Sequence, residues 1–208
     1  MLQTVFTIGH STHPQARFLD LLKRHEITAV CDVRSTPYSR TNPQFNREDL
    51  KTILQEGGIA YVFLGKELGA RSDDDTCYDG GKIQYDRLAR TDLFRRGLDR
   101  IREGVQSYRI ALMCAEKEPL ECHRTILVAR HLQILNLDVQ HILADGALEC
   151  HEQALRRLMH DFNLPDHDMF RSHDDIVSDA YRLQEKRIAY ARSENSPATS
   201  PPITRVAG

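Results

Sequence analysis

Five short apolar segments recur along the chain, and each is followed by residues with helical periodicity. The segments are rich in β-branched residues and are too short to be buried helices. They are residues 4–8, 27–33, 59–64, 109–113 and 139–143. Strands that alternate with helices indicate a largely parallel sheet covered by helices on both faces. The sequence therefore predicts an α/β fold with a mostly parallel, open sheet of about five strands.

The chain of 208 residues divides into three predicted parts. Residues 1–165 contain the pattern of strands and helices and form one α/β domain. Residues 166–192 carry apolar positions at helical spacing, which predicts a C-terminal amphipathic helix that packs on the domain or joins two copies in a homodimer. Residues 193–208 are rich in Pro, Ser and Thr and predict a disordered tail. Within the domain, the turn-forming residues over 65–90 predict a long loop or lid.

Charge and hydropathy exclude several classes of protein. The chain has 28 basic and 30 acidic residues, a formal net charge of −2, so no overall field draws it to nucleic acid or to an anionic membrane. No apolar run reaches the roughly 18 residues that a bilayer span needs, and the N-terminus lacks a signal-peptide pattern. The 5 cysteines, an odd number without a secretory signal, indicate reduced thiols. We therefore expect a cytoplasmic protein without a membrane partner.

Polar side chains stand at the points where three of the predicted strands end. They are His10 and Ser11 after the first strand, Asp32, Arg34 and Ser35 after the second, and Cys114 and Glu116 after the fourth. In open α/β sheets, ligands bind in the crevice beyond the carboxyl ends of the strands. We therefore expect these side chains to line one cleft.

The segment from Cys114 to Arg124 holds two cysteines and a Cys-His-Arg sequence. Pro119 suits the first position of a helix, which places Cys122 in or beside the first helical turn. Backbone N–H groups and the helix dipole at that position favour an anion and lower the pKa of a thiol. Arg124 can add a bidentate contact to phosphate, sulfate or carboxylate. The segment therefore predicts a reactive thiol beside an anion site.

A metal site is a second interpretation of the same region. The competent ligands are Cys114, Cys122, His123, His10 and Glu116. The spacing Cys-x7-Cys-His, however, is not one of the usual short spacings of zinc sites. Adjacent residues in a helix also project about 100° apart, which makes it awkward for one ion to bind both Cys122 and His123. We therefore expect no metal ligands here and no zinc requirement for folding.

Several candidates also have an ordinary structural interpretation. Cys114 at a strand end suits the core, and His10 suits a loop. Asp32 and Arg34 could form only a structural ion pair. Cys31 lies within an apolar strand and is expected to be a core residue. These interpretations stay open beside the catalytic ones.

Four separate motifs, in this order, resemble the domain of unknown function 488 family. They are Thr7-Ile8-Gly9-His10-Ser11-Thr12, Asp32-Val33-Arg34-Ser35 with Pro37 and Ser39, Leu64-Gly65 with Glu67-Leu68-Gly69, and Cys114-Ala115-Glu116 with Cys122-His123-Arg124. The resemblance covers roughly residues 3–162. It implies an α/β domain with two characteristic cysteines near its end and a suspected enzymatic function, with no settled reaction.

Together these observations predict an enzyme with an anion-binding, cysteine-containing active site at the carboxyl ends of the strands. The expected catalytic residues, as nucleophile, redox partner or proton carrier, are Cys114, Cys122, His10, Asp32 and Glu116. The expected anion-binding residues are Arg34, Arg124, Ser11 and Ser35. The expected ligand is a small anionic or phosphate-containing molecule, and no cofactor is expected.

Two alternatives stay open. A binding module could hold the phosphate of a nucleotide or nucleic acid through the same arginines, with structural cysteines and a patch extended by Arg40, Arg47 and Arg71. The net charge of −2 and the absence of Trp disfavour an extended nucleic-acid surface. A metal-dependent enzyme is the other alternative.

Overall fold

The structure is a computed structural model, and it describes residues 3–192. The strands are β1 (Thr4–Gly9), β2 (Ala29–Asp32), β3 (Ala60–Phe63), β4 (Tyr78–Asp79), β5 (Lys82–Ile83), β6 (Ile110–Cys114), β7 (Asp138–Ile142) and β8 (Leu148–Cys150). The α-helices are α1 (Gln15–Arg24), α2 (Arg47–Glu56), α3 (Gly65–Leu68), α4 (Tyr85–Ala89), α5 (Asp92–Gly104), α6 (Arg130–Ile134), α7 (His151–Asp161) and α8 (His173–Ile188). A π-helix, Arg124–Ala129, precedes α6, and short 3₁₀ turns are formed by Pro43–Phe45, Asp75–Cys77 and Pro119–Glu121.

Six strands form one sheet in the order β3-β2-β6-β1-β7-β8. Neighbouring strands are parallel except at one edge, where β8 runs antiparallel to β7. The five predicted strands are β1, β2, β3, β6 and β7. The predicted α/β fold with a mostly parallel sheet is therefore confirmed, with one strand more than expected.

The additional strand, β8, lies where the sequence pattern predicts the start of a helix. The spacing of Leu148, Leu155, Leu158 and Phe162 predicts one helix with these residues on its apolar face. Leu148, however, is 44% exposed and pairs with Ile142 of β7. Gly146 has a φ of 94°, a conformation that suits glycine, and it turns the chain back onto β7. The helix begins only at His151. The predicted start was wrong because this tight turn makes three residues pair with the sheet first.

Alternate residues of the central strands enter two separate apolar clusters on opposite faces of the sheet. In β6, Ile110 and Leu112 belong to one cluster, whereas Ala111 and Met113 belong to the other. Side chains of α5, α6, α7 and α8 complete the first cluster, and those of α1 and α2 complete the second. Helices therefore cover both faces, as predicted.

Residues 65–90 form a series of short elements rather than one long loop. They contain α3, a 3₁₀ turn, the β4–β5 hairpin and α4. Gly80 and Gly81 have φ values of 53° and 78° and form the two-residue turn that such a hairpin needs. Cys77 and Ile83 are buried in the core. The prediction of a loop was wrong because buried apolar residues alternate with the turn formers and anchor this segment.

Helix α8 packs against the core of the domain. Ile176, Ala180 and Tyr181 belong to the same apolar cluster as one face of the sheet. Gln184 donates a hydrogen bond of 2.9 Å to the carbonyl of Leu120. The apolar face of the helix is therefore occupied within the chain. The expected homodimer stays a prediction that this face does not support.

The other sequence predictions about chain organisation stay untested. The division at residue 165 is a matter of domain boundaries, and the predicted tail at 193–208 lies outside the described residues. Within residues 3–192, no helix is both long enough and apolar enough to cross a bilayer.

Candidate functional site

The carboxyl ends of β1, β6 and β2 lie side by side, because β6 is inserted between β1 and β2. Gly9 is in register with Cys114, and Asp32 is in register with Met113. The N–H of His10 donates to the carbonyl of Cys114 at 2.9 Å. This pairing carries the polar residues that follow the three strands to one edge of the sheet, where ligands bind in folds of this kind.

Gly9 allows the loop that follows β6 to cross over β1. A Cβ atom at this position would lie 1.9 Å from the carbonyl oxygen of Glu116. The N–H of Ser11 donates to the carbonyl of Ala115 at 2.9 Å, so the two loops are also hydrogen bonded. A larger residue at position 9 would push the Glu116 loop away from the sheet.

Two cysteines and a histidine form a buried cluster at this edge, which we call the cysteine cluster: Cys114, Cys122 and His123. The Nδ1 atom of His123 lies 3.7 Å from the Sγ atom of Cys114 and 3.8 Å from that of Cys122. All three atoms lie within 4.8 Å of one another. Cys114 ends β6, whereas Cys122 and His123 directly precede the π-helix. Each of the three residues is buried.

The backbone at Cys122 is extended, and the helix expected to begin at Pro119 is absent there. Pro119 begins a single 3₁₀ turn, after which Cys122 has φ −133° and ψ 140°. The π-helix begins at Arg124. The expected helix start at Pro119 was wrong because the chain leaves the 3₁₀ turn before it enters the helix. Cys122 nevertheless lies beside the first helical turn, as expected, since its carbonyl accepts from the N–H groups of Thr125 and Ile126. The separation of about 100° that a helix imposes on adjacent side chains therefore does not apply, and Cys122 and His123 point to one place.

The ring of His123 is oriented by the chain that follows β2. Its Nε2 atom lies 3.0 Å from the carbonyl oxygen of Val33. Because a carbonyl oxygen only accepts hydrogen bonds, Nε2 carries the hydrogen, and Nδ1 is the nitrogen that faces the sulfur atoms. Burial acts to lower the pKa of His123, but its hydrogen bond with Cys122 and the nearby negative charges outweigh burial and raise the pKa.

Arg124 holds the loop after β6 from inside the protein. Its guanidinium is completely buried and donates from Nη1 to the carbonyl of Glu116 (2.7 Å) and from Nη2 to that of Lys117 (3.3 Å). The Nε atom has no hydrogen-bond partner among the described residues. The Glu116 carboxyl group and the Sγ atom of Cys122 share a hydrogen bond of 2.9 Å. Arg124 thereby sets the position of Glu116 above the cysteines.

The two thiols differ in their tendency to ionise. Burial, together with the hydrogen bond to Cys122 and its charge, raises the pKa of Cys114 well above its usual value. Burial also acts to raise the pKa of Cys122, but the hydrogen bond with Cys114 and the positive charge of Arg124 outweigh it and hold that pKa well below its usual value. Burial and the charge of Cys122 raise the pKa of Glu116. In the absence of a ligand, the cluster favours a single thiolate at Cys122.

Arg34, Asp32 and His10 form a buried network beside the cluster. The Arg34 guanidinium donates to both carboxylate oxygens of Asp32, at 2.9 and 2.7 Å, and Tyr61 donates its hydroxyl to the same carboxylate at 2.9 Å. Arg34 Nη1 also donates to Nε2 of His10 at 3.1 Å, and His10 Nδ1 donates to the carbonyl of Ser11 at 2.8 Å. Burial lowers the pKa of His10 to about 4. The ring is therefore neutral near pH 7, and its tautomer is fixed.

A cavity of about 290 Å³ opens beside the cysteine cluster. Four of the predicted site residues border it: Arg34, Ser35, Cys114 and Glu116. Three are buried and do not border it: Asp32, Cys122 and Arg124. The other two, His10 and Ser11, border a second cavity of about 330 Å³, which shares Arg34, Thr36 and Ala115 with the first. The predicted residues thus lie at one edge of the sheet, but only part of the set borders the cavity beside the cysteines.

Residues outside the sequence motifs complete the wall of the 290 Å³ cavity. Ile188 and Tyr190, at the end of α8 and just after it, border the cavity, as does Tyr85. The guanidinium of Arg71 lies 4.3 Å from the centre of the Tyr190 ring. The N–H of Ile83 donates to the carbonyl of Tyr190 at 2.9 Å, which ties this segment to the hairpin. No local motif marks Tyr85 or Tyr190, because their positions depend on the packing of α8.

Comparison with known families gives one match. A family model described as "Domain of unknown function DUF488" matches residues 14–131, which is more than half of the chain. The matched range contains Arg34 and the whole cysteine cluster, whereas α7 and α8 lie beyond it. No curated protein and no solved structure matches the chain.

Proposed function

This chain belongs to the DUF488 family, the family of a domain of unknown function, and we propose that it is an enzyme that acts on a small anionic ligand. The observation that carries the proposal is the 290 Å³ cavity, whose wall contains Cys114, Glu116 and His123 as well as Arg34 and Arg71. Potentially reactive groups and anion-binding groups therefore face one confined space. A cavity of this volume suits a small ligand.

The two arginines supply the anion-binding side of the cavity. Four of the five N–H donors of Arg34 are engaged by Asp32, Phe45 and His10, which leaves one donor on Nη1 without a partner among the described residues. Arg71 is exposed, and its guanidinium stacks on Tyr190 rather than on a carboxylate. Guanidinium groups bind phosphate and carboxylate through charge-assisted hydrogen bonds.

The contacts support different roles for the predicted site residues. Groups that border the cavity are assigned to the ligand and its reaction: Cys114, Glu116, Arg34 and Ser35. Groups held by hydrogen bonds inside the protein are assigned to positioning: His10 and Asp32 through their side chains, Ser11 through its backbone, and Arg124 through its two Nη atoms. The His10 ring is neutral, and both of its nitrogens are hydrogen bonded inside the protein, while the Asp32 carboxylate is paired with Arg34. Both groups are therefore poorly suited to carry protons near pH 7. Cys122 acts on the ligand only through its partners in the cluster.

The charges around the site favour a small ligand over a nucleic acid. Glu116 and Glu121 border the cavity beside the arginines. Asp73 and Asp74 border the neighbouring cavity of about 670 Å³, to which Arg71 also contributes. A polyanion would meet these carboxylates as it extended from the arginines, whereas nucleic-acid binding requires a continuous basic surface.

Binding of inorganic phosphate to the full chain tests the anion site. We expect saturable binding by calorimetry, weakened about tenfold in the variant Arg71→Gln, because one charge-assisted hydrogen bond is lost. Arg102→Gln is the matched control, since Arg102 is an exposed arginine paired with Asp99. Equal affinity in all three proteins would exclude the assigned anion site.

Turnover tests whether the chain is an enzyme. A panel of phosphate esters, sulfate esters and carboxylic acid derivatives is incubated with the wild-type chain, Cys114→Ser and the control Cys150→Ser, whose cysteine lies outside the cluster. We expect turnover that Cys114→Ser abolishes and Cys150→Ser retains. Phosphate binding without turnover of any of these classes would favour the phosphate-binding module instead.

A further inference from the structure

We propose that the cysteine cluster binds a divalent metal ion of the zinc class, through Cys114 Sγ, Cys122 Sγ and His123 Nδ1, with a further coordination position open to the cavity. The inference rests on the proposed function, because it names a cofactor for the same site. Metal binding, however, is measured without any substrate, so the two proposals can fail separately.

The distances between the three atoms fit a tetrahedral ion. Zinc binds thiolate sulfur at about 2.3 Å and imidazole nitrogen at about 2.0–2.1 Å, so sulfur and nitrogen ligands of one tetrahedral ion lie about 3.5–3.6 Å apart. In the cluster these distances are 3.7 and 3.8 Å. The two sulfur atoms also lie within 4.8 Å of each other, so a small adjustment would let one tetrahedral ion contact all three atoms.

The orientation of His123 is a second, independent observation. Nδ1 faces both sulfur atoms at nearly the same distance, while Nε2–H donates to the carbonyl of Val33. Nδ1 is therefore placed where one ion could contact it together with both sulfur atoms. An imidazole that binds a metal usually donates its other N–H to a carbonyl or carboxylate, as His123 does.

The balance of buried charge also favours a divalent cation. Two thiolates bound to one ion would bring two negative charges to Cys114 and Cys122, which are both buried, and the Arg34 guanidinium is already paired with Asp32. A divalent ion would compensate both charges. Buried charges are stable only when they are compensated in this way.

The expectation that this region binds no metal depended on a helix at Cys122. The extended backbone of Cys122 removes that obstacle. Cys114 enters from β6 rather than from a short zinc-binding loop, which explains the unusual spacing of seven residues between the cysteines. The ligands are brought together by the strand and the chain that follows it, and not by a local sequence motif.

The cluster is open on one side. Cys114 and His123 border the cavity together with Glu116, whereas Cys122 does not. Three protein ligands and an open position are typical of catalytic zinc sites, in contrast to structural sites with four protein ligands. An ion at this position would act as a Lewis acid toward an anionic ligand held by Arg34 and Arg71.

Titration of the metal-free full chain with Co²⁺ tests the inference directly. We expect one Co²⁺ per chain, with the strong near-ultraviolet absorption of sulfur-to-metal charge transfer and the visible bands of a tetrahedral ion. Cys122→Ser should weaken binding at least about 100-fold, because it removes a ligand. Cys31→Ala is the matched control, since it alters a buried cysteine outside the cluster. No stoichiometric binding at micromolar Co²⁺, or an unchanged spectrum in Cys122→Ser, would overturn the inference.

Alkylation of the wild-type chain gives a test that no folding defect can obscure. Iodoacetamide labelling of each cysteine is followed by mass spectrometry with and without one equivalent of Zn²⁺. We expect Zn²⁺ to slow labelling of Cys114 and Cys122 at least about tenfold and to leave Cys150 unchanged, because bound thiolates are poor nucleophiles. Equal rates would contradict the inference. If Zn²⁺ gives no protection but the chain still binds phosphate and turns over a substrate, the metal inference fails and the proposed function stands. If the chain binds metal but not phosphate, the proposed anion site fails instead.

Discussion

Two buried polar clusters of this protein differ in how completely their atoms are paired. The first is the cysteine cluster with Glu116 and Arg124. The second, which we call the histidine chain, consists of Thr7, His141, His151 and Tyr181. Its members come from β1, β7, α7 and α8. It therefore joins one strand pair to the two C-terminal helices.

In the histidine chain each ring nitrogen has one partner. Thr7 Oγ1 lies 2.8 Å from His141 Nδ1, and His141 Nε2 lies 3.0 Å from His151 Nδ1. His151 Nε2 in turn lies 2.7 Å from the hydroxyl of Tyr181. A chain of neutral groups in this order can be fully satisfied with one hydrogen per contact. Such a network stabilises and specifies a core without any ligand.

In the cysteine cluster the atoms compete. Two sulfur atoms face one nitrogen, a carboxyl group lies against a thiol, and Nε of Arg124 has no partner among residues 3–192. Native structures leave few buried polar atoms unsatisfied, and exceptions call for an explanation such as an ion or a catalytic role. The difference between the clusters teaches that burial alone does not mark a functional site. Incomplete pairing beside a cavity is the feature that supports the proposed site.

The largest expected effect comes from Arg124, which stabilises the loop above the cysteine cluster. We expect Arg124→Met to lower the free energy of unfolding by about 3 kcal/mol, because the buried guanidinium and its two charge-assisted hydrogen bonds to the carbonyls of Glu116 and Lys117 are lost. Urea denaturation measures the change, and Arg102→Met, at an exposed pair, should cost less than about 0.5 kcal/mol. A loss below about 1 kcal/mol for Arg124→Met would show that the loop does not depend on this side chain.

Acid should destabilise the histidine chain. Burial lowers the pKa of His151 to about 4 and that of His141 well below its usual value. Between pH 6.5 and 4 the unfolded chain therefore binds protons that the folded chain does not, so stability falls as pH decreases through this window. From pH 7 to pH 5, His151 alone should account for about 2 kcal/mol.

The variant His151→Gln isolates this contribution. In urea unfolding at several pH values, its stability should depend less steeply on pH than that of the wild-type chain, by about 1 kcal/mol per pH unit between pH 6 and 4.5. His160→Gln, at an exposed histidine, should keep the wild-type slope. Parallel curves for His151→Gln and the wild type would mean that His151 is not held neutral by the fold.

Removal of one hydroxyl from the histidine chain should have a smaller effect. Tyr181→Phe leaves His151 Nε2 without its partner at 2.7 Å, and we expect a loss of about 1–2 kcal/mol in the free energy of unfolding. Tyr108→Phe, at a residue that is 49% exposed, should change stability by no more than about 0.5 kcal/mol. Similar values for the two variants would remove the evidence that the histidine chain stabilises the fold.

The smallest effect on stability is expected at Cys114, where the effect on function is largest. Cys114→Ser should lower the free energy of unfolding by only about 1 kcal/mol, because the sulfur atom makes long, weak hydrogen bonds. A loss of 3 kcal/mol or more, with phosphate binding unchanged, would show that the cysteine cluster stabilises the fold, as the histidine chain does, and does not serve the ligand.

The periodicity of the sequence was sufficient to predict the class of fold and the edge of the sheet at which the polar residues after β1, β2 and β6 lie. Residues of a strand alternate between faces, and helical positions recur every three to four residues, so both patterns are local and can be recognised without tertiary contacts. The polar residues after β1, β2 and β6 followed from the same pattern. The short elements of residues 65–90 and the strand at Leu148 could not be predicted from this pattern. They form only because their residues pair with, or are buried against, neighbouring elements.

The partners of the site residues depend on contacts between distant parts of the chain. The extended backbone at Cys122 lets its thiol and the His123 ring face the same sulfur atom, that of Cys114, and Arg124 donates to the carbonyl of Glu116 rather than into the cavity. Tyr190 reaches the cavity only because α8 packs on the core. A sequence motif shows which reactive groups are present, but the hydrogen bonds and the burial that decide their charge and orientation arise when the strands and helices pack together.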